Sequence, residues 1–420
     1  ISNRIGRNIL SLILSWVETA NVPNNPFPLN NLPYGVFSTK KGGPRCGVRI
    51  GDMILDLKTM ENEGHINFGG VFESPYWNDF IALGEEKWTE LRQRLIDYLH
   101  KDFSNKEEIL ELIHKESDAT MHLPIKVAEY TDFYSGRNHA QNVGTMFRGP
   151  ENALPPNWLY MPIGYNGRAS SVVVSGTDIR RPHGQLKGPD FDIPKFLPSR
   201  RFDFELEMGA IVGKGSNGPV SVDQADDMIF GYVILNDWSA RDIQAWEYVP
   251  LGPFQAKATA TSISPWIVTK DALEPFRCST PKREYELLPY LKDTKPMLYD
   301  IELSTYIQTQ KSNELALSTT NFSEMYYSSA QQIAHHTSSG CPMNVCDLIG
   351  SGTISGEEKS QRGSMLELSW GGKEPIKLEN NETRTFLEDG DILTLRGQCN
   401  GSNYSIGFGT CSGRILPAEK

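Results

Sequence analysis

From residue 121 to the C-terminus the sequence is a succession of short apolar runs, each cut off by Gly, Pro, Asn or Asp. "SSVVVSG" (170–176), "DFELEMGAIVG" (203–213), "MIFGYVILND" (228–237), "MLYDIELSTYIQ" (297–308), "GDILTLRG" (390–397) and "YSIGFG" (404–409) read as strands joined by turns. Helices are expected only at 239–248 and 321–337. The 37 Gly and 26 Pro of this 420-residue chain suit that many turns. The pattern predicts a mostly β fold with some α.

Upstream, "YGVFSTKKGGPRCGVRIGDMILDL" (34–57) alternates apolar and polar residues around Gly-Gly-Pro and Gly51-Asp52, which predicts hairpins in a small barrel or sheet. A helix is predicted over 85–100, with Trp88, Leu91, Leu95 and Leu99 on one stripe. A second is predicted from Ser104, where Glu107 completes a capping box before "ILELI". Composition changes after "KESDAT" (115–120), so three parts are expected: an extension at 1–20, an N-terminal domain at 21–120 and a larger domain at 121–420. The apolar run "NILSLILSWV" (8–17) is too short to span a bilayer.

Net charge is −11 and no Lys/Arg-rich run occurs, which argues against a nucleic-acid or anionic-membrane partner. An acidic substrate would then need local positive charge or a metal. Six cysteines without a C-x-x-C pair read as reduced thiols, and a cytosolic location is expected. "GKGSNG" (213–218) matches G-x-G-x-x-G, but Pro219 and strand-like residues follow it. A dinucleotide loop needs a helix there to hold the pyrophosphate, so the match is rejected.

Four stretches could carry chemistry. "EYTDFYSGRNHAQNVGTMFRG" (129–149) crowds Asp132, Tyr134, His139 and Arg148 together, and reads as neither a clean helix nor a clean strand. In "RRFDFELEMGAIVG" (200–213), period-2 alternation puts Asp203, Glu205 and Glu207 on one strand face. Either that face meets water or a cation neutralises it. In "NDWSARDIQAWEYVPLGPF" (236–254), a helix would align Asp237, Arg241, Gln244 and Tyr248 in one polar stripe, which is either a solvated face or a ligand-binding one. Lys257 and Thr261 follow in a small-residue loop. In "GSGTISGEEKSQRGSMLELSW" (350–370), small residues around Thr353 allow close backbone approach, and Glu367 points away from Leu366 and Leu368 if that segment is a strand.

Together "YTDFYSGRNHAQNVGTMFRG", "NWLYMPIGYNGRASSVVVSGT", "NDWSARDIQAWEYVPLGPF" and "GTISG…GSMLELSW" resemble the fumarylacetoacetase (fumarylacetoacetate hydrolase) family, from about Leu32 to nearly the C-terminus. The resemblance implies a small SH3-like N-terminal barrel with helices, a larger mixed β-roll catalytic domain, and a homodimer. It implies hydrolysis of a carbon–carbon bond in 4-fumarylacetoacetate, the last step of tyrosine and phenylalanine catabolism. Carried over by position, the calcium or magnesium ligands are Asp132, Glu205, Glu207 and Asp237, and Asp237, Lys257 and Thr261 form a second, magnesium site. The base is His139, paired with Glu367. Tyr134, Arg148, Gln244, Tyr248 and Thr353 bind substrate, while Arg241 and Lys257 stabilise charge. One departure stands out. The family reads Gly-Lys with an aromatic two residues after the Lys, whereas Ala256 precedes Lys257 here and Thr259 follows it.

The chemistry of these residue types agrees. Four carboxylates make an all-oxygen site suited to hard calcium or magnesium, not zinc. Water needs a base to remove its proton, and a carbon leaving group needs cations beside the enolate it becomes. Two alternatives remain: a 2-oxo acid decarboxylase or hydratase of the wider family, and an inactive relative that binds metal and diketo acids.

Overall fold

The computed structural model describes residues 11–23 and 25–419, and the runs bounded by Gly and Pro are its strands. Ile229–Asp237 is buried along its whole length because both faces are covered. Tyr232 and Ile234 join one core; Phe230, Val233 and Leu235 join another. A strand covered on both sides has no place for a polar face, hence the unbroken apolar run. It pairs antiparallel with Leu206–Val212 on one side, and with Thr261–Ile263 and Trp266–Thr269 on the other. Leu206–Val212 pairs in turn with Leu348–Gly350, which runs parallel to Tyr130–Phe133.

In the other direction Trp266–Thr269 pairs with Tyr34–Thr39. The sheet continues through Gly42–Ile50 and Met53–Asp56 to Ile113–Lys115, with Thr120–His122 also paired to Tyr34–Thr39. The N-terminal strands are therefore an arm of one 13-stranded sheet, and none of the described sheets closes on itself. A separate five-stranded sheet runs in the order Leu315–Asn321, Glu302–Gln308, Ile392–Asn400, Ser405–Leu416, Ile179–Arg180. Its Leu393, Leu395, Ile406 and Phe408 share a core with Tyr232 and Ile234. The fold is mostly β with some helices.

Helix Glu85–Leu99 buries Trp88, Leu91, Leu95 and Leu99 as its spacing predicts. The Trp88 ring lies edge-on to Phe230, centroids 5.0 Å apart, and so docks the helix on the long central strand. Residues 1–10 of the expected extension lie outside the described residues. The rest of it is tied down: Trp16 Nε1 donates to Tyr98 O at 2.8 Å and Ser15 Oγ to Leu99 O at 2.6 Å. No helix among the described residues is long and apolar enough to cross a membrane.

Four local expectations are corrected. The helix from Ser104 is two 3-10 turns, Lys106–Glu108 and Leu110–Leu112, and its capping box does not form. Strand pairing claims Ile113 onward, leaving too few residues to offset helix nucleation. The helix expected at 321–337 is α-helical only over Ser329–Thr337, where Ser328 and Gln331 supply a capping box. "SMLELSW" is not a strand; Met365–Leu368 is a single helical turn capped by Ser364. A helix, Val222–Met228, does follow "GKGSNG", but beyond Pro219 and with its own Ser221 cap.

Candidate active site

Residues 129–149 form regular structure after all: strand Tyr130–Phe133, a short loop, then helix Arg137–Arg148. The strand places Asp132 beside Gly350 in parallel register. Glu207 sits in the adjoining strand, and Asp237 ends the next one, opposite Thr261. Ligand oxygens of Asp132, Glu207 and Asp237 lie within 4.8 Å of one another, and all three residues are buried.

Each of these carboxylates has one oxygen held and one without a partner. Tyr130 Oη donates to Asp132 Oδ2 at 3.0 Å, and Tyr165 Oη lies 3.3 Å from the same oxygen. Tyr165 Oη (2.7 Å) and Lys257 Nζ (2.6 Å) donate to Asp237 Oδ2. The Gly352 N–H donates to Glu207 Oε2 at 3.0 Å. Asp132 Oδ1, Glu207 Oε1 and Asp237 Oδ1 are buried with no hydrogen bond. Burial and the neighbouring acids push the Glu207 carboxyl well above its usual range, and burial does the same to Asp237 despite Lys257. Three unsatisfied carboxylate oxygens converging in a buried space are a fit for a hard divalent cation. Gly350 keeps that space open: a Cβ there would lie 2.5 Å from Asp132 Oδ1 and 3.1 Å from Glu207 Oε2.

The single acidic face read from "FDFELE" breaks, because the chain enters the long strand only at Leu206. Asp203 instead accepts from Arg241 Nε at 2.8 Å and from the N–H groups of Met365 and Leu366. Glu205 stands apart from the three-carboxylate cluster. Its Oε1 accepts from Arg241 Nη1 at 2.7 Å and its Oε2 from Lys257 Nζ. Burial would raise the Glu205 carboxyl, but Lys257, Arg241 and His139 outweigh it and hold it far below the usual range. Asp237 and Glu205 likewise outweigh burial at Lys257 and keep its ammonium charged.

His139 is buried on helix Arg137–Arg148, and its Nδ1 meets Glu367 Oε2 at 2.6 Å. Ser355 Oγ and Ser364 Oγ each donate to the same Oε2 at 2.9 Å, and Asn142 Nδ2 donates to Oε1 at 2.9 Å. Burial alone would raise the Glu367 carboxyl; the His139 interaction and these hydrogen bonds outweigh it and keep it below the ordinary carboxylate range. Glu367 is thus a wholly buried acid on a helical turn. On the other side of the ring, Nε2 stands 3.9 Å from Glu205 Oε1. The Tyr134 ring lies edge-on to the imidazole, centroids 5.5 Å apart.

Asp132, Glu205 and His139 line a cavity of about 340 Å³. Tyr134, Arg148, Gln244, Tyr248, Thr353, Arg241 and Lys257 all reach it. Helix Arg241–Glu247 starts later than expected, so Asp237 is a strand residue while Arg241, Gln244 and Tyr248 share the cavity side. Arg148, at the exposed rim, donates Nε to Asn152 O (3.1 Å) and Nη2 to Ala153 O (2.6 Å), leaving Nη1 for a ligand. The hydroxyls of Thr261 and Thr353 are buried without partners. Tyr130, Asn142, Tyr165, Gly350, Ser355 and Ser364 were not singled out from the sequence. All six lie inside the quoted stretches, Tyr165 in "NWLYMPIGYNG", but only their partners across the fold set them apart there.

Comparison with known proteins gives a consistent result. A family model described as "Fumarylacetoacetate (FAA) hydrolase C-terminal" matches residues 129–416, and one described as "Fumarylacetoacetase N-terminal" matches 30–124. Fumarylacetoacetase of Dictyostelium discoideum is 48% identical, with 98% of this chain and 100% of that protein covered. Fumarylacetoacetase of Homo sapiens is also 48% identical, over 96% of this chain and 99% of that protein. Among solved structures, a fumarylacetoacetate hydrolase from the psychrophile Exiguobacterium antarcticum superposes with a TM-score of 0.53 at 15% identity, covering 92% of this chain and 99% of its own. That likeness speaks for the fold, and the near full-length identity with the curated relatives goes further. The chain belongs to the fumarylacetoacetate hydrolase family.

Proposed function

We propose that this chain hydrolyses 4-fumarylacetoacetate to fumarate and acetoacetate, the last step of tyrosine and phenylalanine catabolism. The observation that carries the reading is a cavity lined by His139, the imidazole paired with Glu367, and by Asp132, one of three clustered buried carboxylates with unsatisfied oxygens. Relatives named fumarylacetoacetase at 48% identity support the substrate.

Asp132, Glu207 and Asp237 would hold a calcium or magnesium ion, and Glu205, whose oxygens also bond Arg241 and Lys257, would have to turn toward them to be a fourth oxygen donor. Thr261, whose buried hydroxyl has no partner, would complete a second magnesium site with Asp237, and Lys257, its ammonium held by Glu205 and Asp237, would add only a backbone oxygen there. Bound there, such an ion polarises the carbonyl of a β-diketone. His139 Nε2 takes a proton from water, and the oxygen attacks the carbonyl carbon of the fumaryl group. Glu367, at Nδ1, holds the ring's tautomer and stabilises the imidazolium. The bond to the neighbouring methylene then breaks, its electron pair leaves as the enolate of acetoacetate, and the His139 imidazolium gives its proton to that carbon. The ammonium of Lys257 and the guanidinium of Arg241 stabilise that charge. Tyr134, Gln244, Tyr248 and Thr353 bind the substrate.

The reading extends to assembly and place. A homodimer is supported by apolar side chains left exposed near the cavity mouth, Val249 at 67%, Leu251 at 94% and Phe254 at 66%. Six unpaired cysteines support a cytosolic location. The strand order 120–122, 34–39, 42–50, 53–56, 113–115 supports a small SH3-like unit over 21–120, followed by a catalytic β-roll over 121–420.

The test is product identification. Purified protein, divalent metal and 4-fumarylacetoacetate should yield fumarate and acetoacetate in equal amounts. Carbon dioxide would indicate a decarboxylase, and no turnover a binding protein. Arg148 supplies a second measurement. Arg148→Lys keeps the charge but cannot hold the carbonyls of Asn152 and Ala153 while presenting a planar fork to a carboxylate. Its KM should rise for a diketo acid with a distal carboxylate far more than for one without. Equal rises for both substrates would make Arg148 a purely structural residue.

A further inference from the structure

Lys257 ends a 3-10 turn, Gln255–Lys257, that begins after Phe254. The first N–H groups of any helical turn have no acceptor within the turn, and phenylalanine has no side-chain oxygen to offer. The acceptors come from Glu247, the last residue of helix Arg241–Glu247. Its Oε1 accepts from the N–H of Phe254 at 2.9 Å and of Ala256 at 2.8 Å, and its Oε2 from the N–H of Gln255 at 3.1 Å. Residues 248–253 loop out between, and Tyr248 and Leu251 of that loop line the cavity.

We propose that Glu247 is the positioning residue for Lys257. Its carboxylate caps the Lys257 turn from outside and joins it to the helix that carries Arg241 and Gln244. The two cations then keep a fixed spacing across Glu205, to which both bond. This also accounts for the absence of the family's glycine before the lysine: order in this loop comes from three backbone N–H groups, and Ala256 packs wholly buried beneath them. The inference rests on the reading of Lys257 as the cation beside the enolate.

Steady-state kinetics on full-length Glu247→Ala, Glu247→Gln, Lys257→Met and the Glu247→Ala/Lys257→Met double variant test it. Glu247→Ala should lower kcat by on the order of tenfold to a hundredfold, the scale of a small misplacement of a catalytic group, with KM and Tm near the parent values. Glu247→Gln, whose carbonyl can still accept two of the three N–H groups, should recover most of the loss. In the Lys257→Met background, Glu247→Ala should cost almost nothing more. Additive losses in the double variant would overturn the role of Glu247 while leaving that of Lys257 intact. So would a Glu247→Gln variant with parental Tm whose kcat is about tenfold or more below the parent, a readout that holds even if Glu247→Ala does not fold. An unchanged kcat in Lys257→Met would remove the reading of Lys257, and the inference with it.

Discussion

Replacing His139 with Ala is expected to lower kcat by roughly 10²–10⁴-fold, the contribution of a well-placed general base, and rapid-quench or steady-state kinetics would read it directly. Glu367→Gln should cost less. Oε2 of Glu367 receives Ser355, Ser364 and the His139 ring, and an amide oxygen there would still accept all three. The amide nitrogen would then face Asn142, whose own amide can turn to present its oxygen. What is lost is the negative charge that stabilises the imidazolium. Since the two residues act as a unit, the double variant should be scarcely slower than His139→Ala alone. Losses that add strictly in ΔΔG‡ would mean that the pair does not function as a dyad.

Two substitutions at the carboxylate cluster should act on metal binding before they act on the fold. Glu207→Gln removes one of three converging charges, and calorimetric titration with calcium or magnesium should show affinity reduced by more than about 100-fold, since even outer partners of a ligand contribute tenfold to a hundredfold. Gly350→Ala touches no ligand atom chemically, yet its methyl group would occupy the space between Asp132 and Glu207. It should weaken binding by about 10–100-fold. Stability should move the other way. The Glu207 carboxyl is raised in the folded chain, by burial first and then by its acidic neighbours. An acid whose folded pKa exceeds its unfolded value costs stability once the pH is above the unfolded value. Metal-free Glu207→Gln should therefore melt at or above the parent at neutral pH, and saturating metal should reverse the order. Unchanged metal affinity in both variants would remove this cluster from the catalytic centre.

Strands were legible because burial on one or two faces writes itself into the sequence as alternation or as a continuous run, and Glu85–Leu99 was legible because its four large apolar residues share a stripe. The helix carrying His139 was not. Its buried positions are His139, Ala140 and Gly144, too small and too polar to show a period, and it lies so close to the segment that follows it that a Cβ on Gly144 would meet Ala153 O at 1.9 Å. The single turn Met365–Leu368 is buried throughout, so two leucines flanking an acid imitate a strand. Candidate residues were found by type and by family likeness. Their partners were not, because Asn142, Ser355 and Ser364 matter only through contacts with Glu367 across the fold.

The parallel pairing of Tyr130–Phe133 with Leu348–Gly350 has a consequence for heredity and synthesis. A ribosome delivers Asp132, His139, Glu207 and Asp237 early, together with the whole N-terminal arm. The strand that seats Asp132 and the acid that orients His139 come last, Glu367 lying 228 positions after the imidazole. A premature stop codon between Asp237 and Leu348 thus leaves a long product with all three acids, no strand to join Asp132 to the other two and no partner for the base. For nonsense alleles in that range, the length of chain made should bear no relation to the activity retained: each is a complete loss.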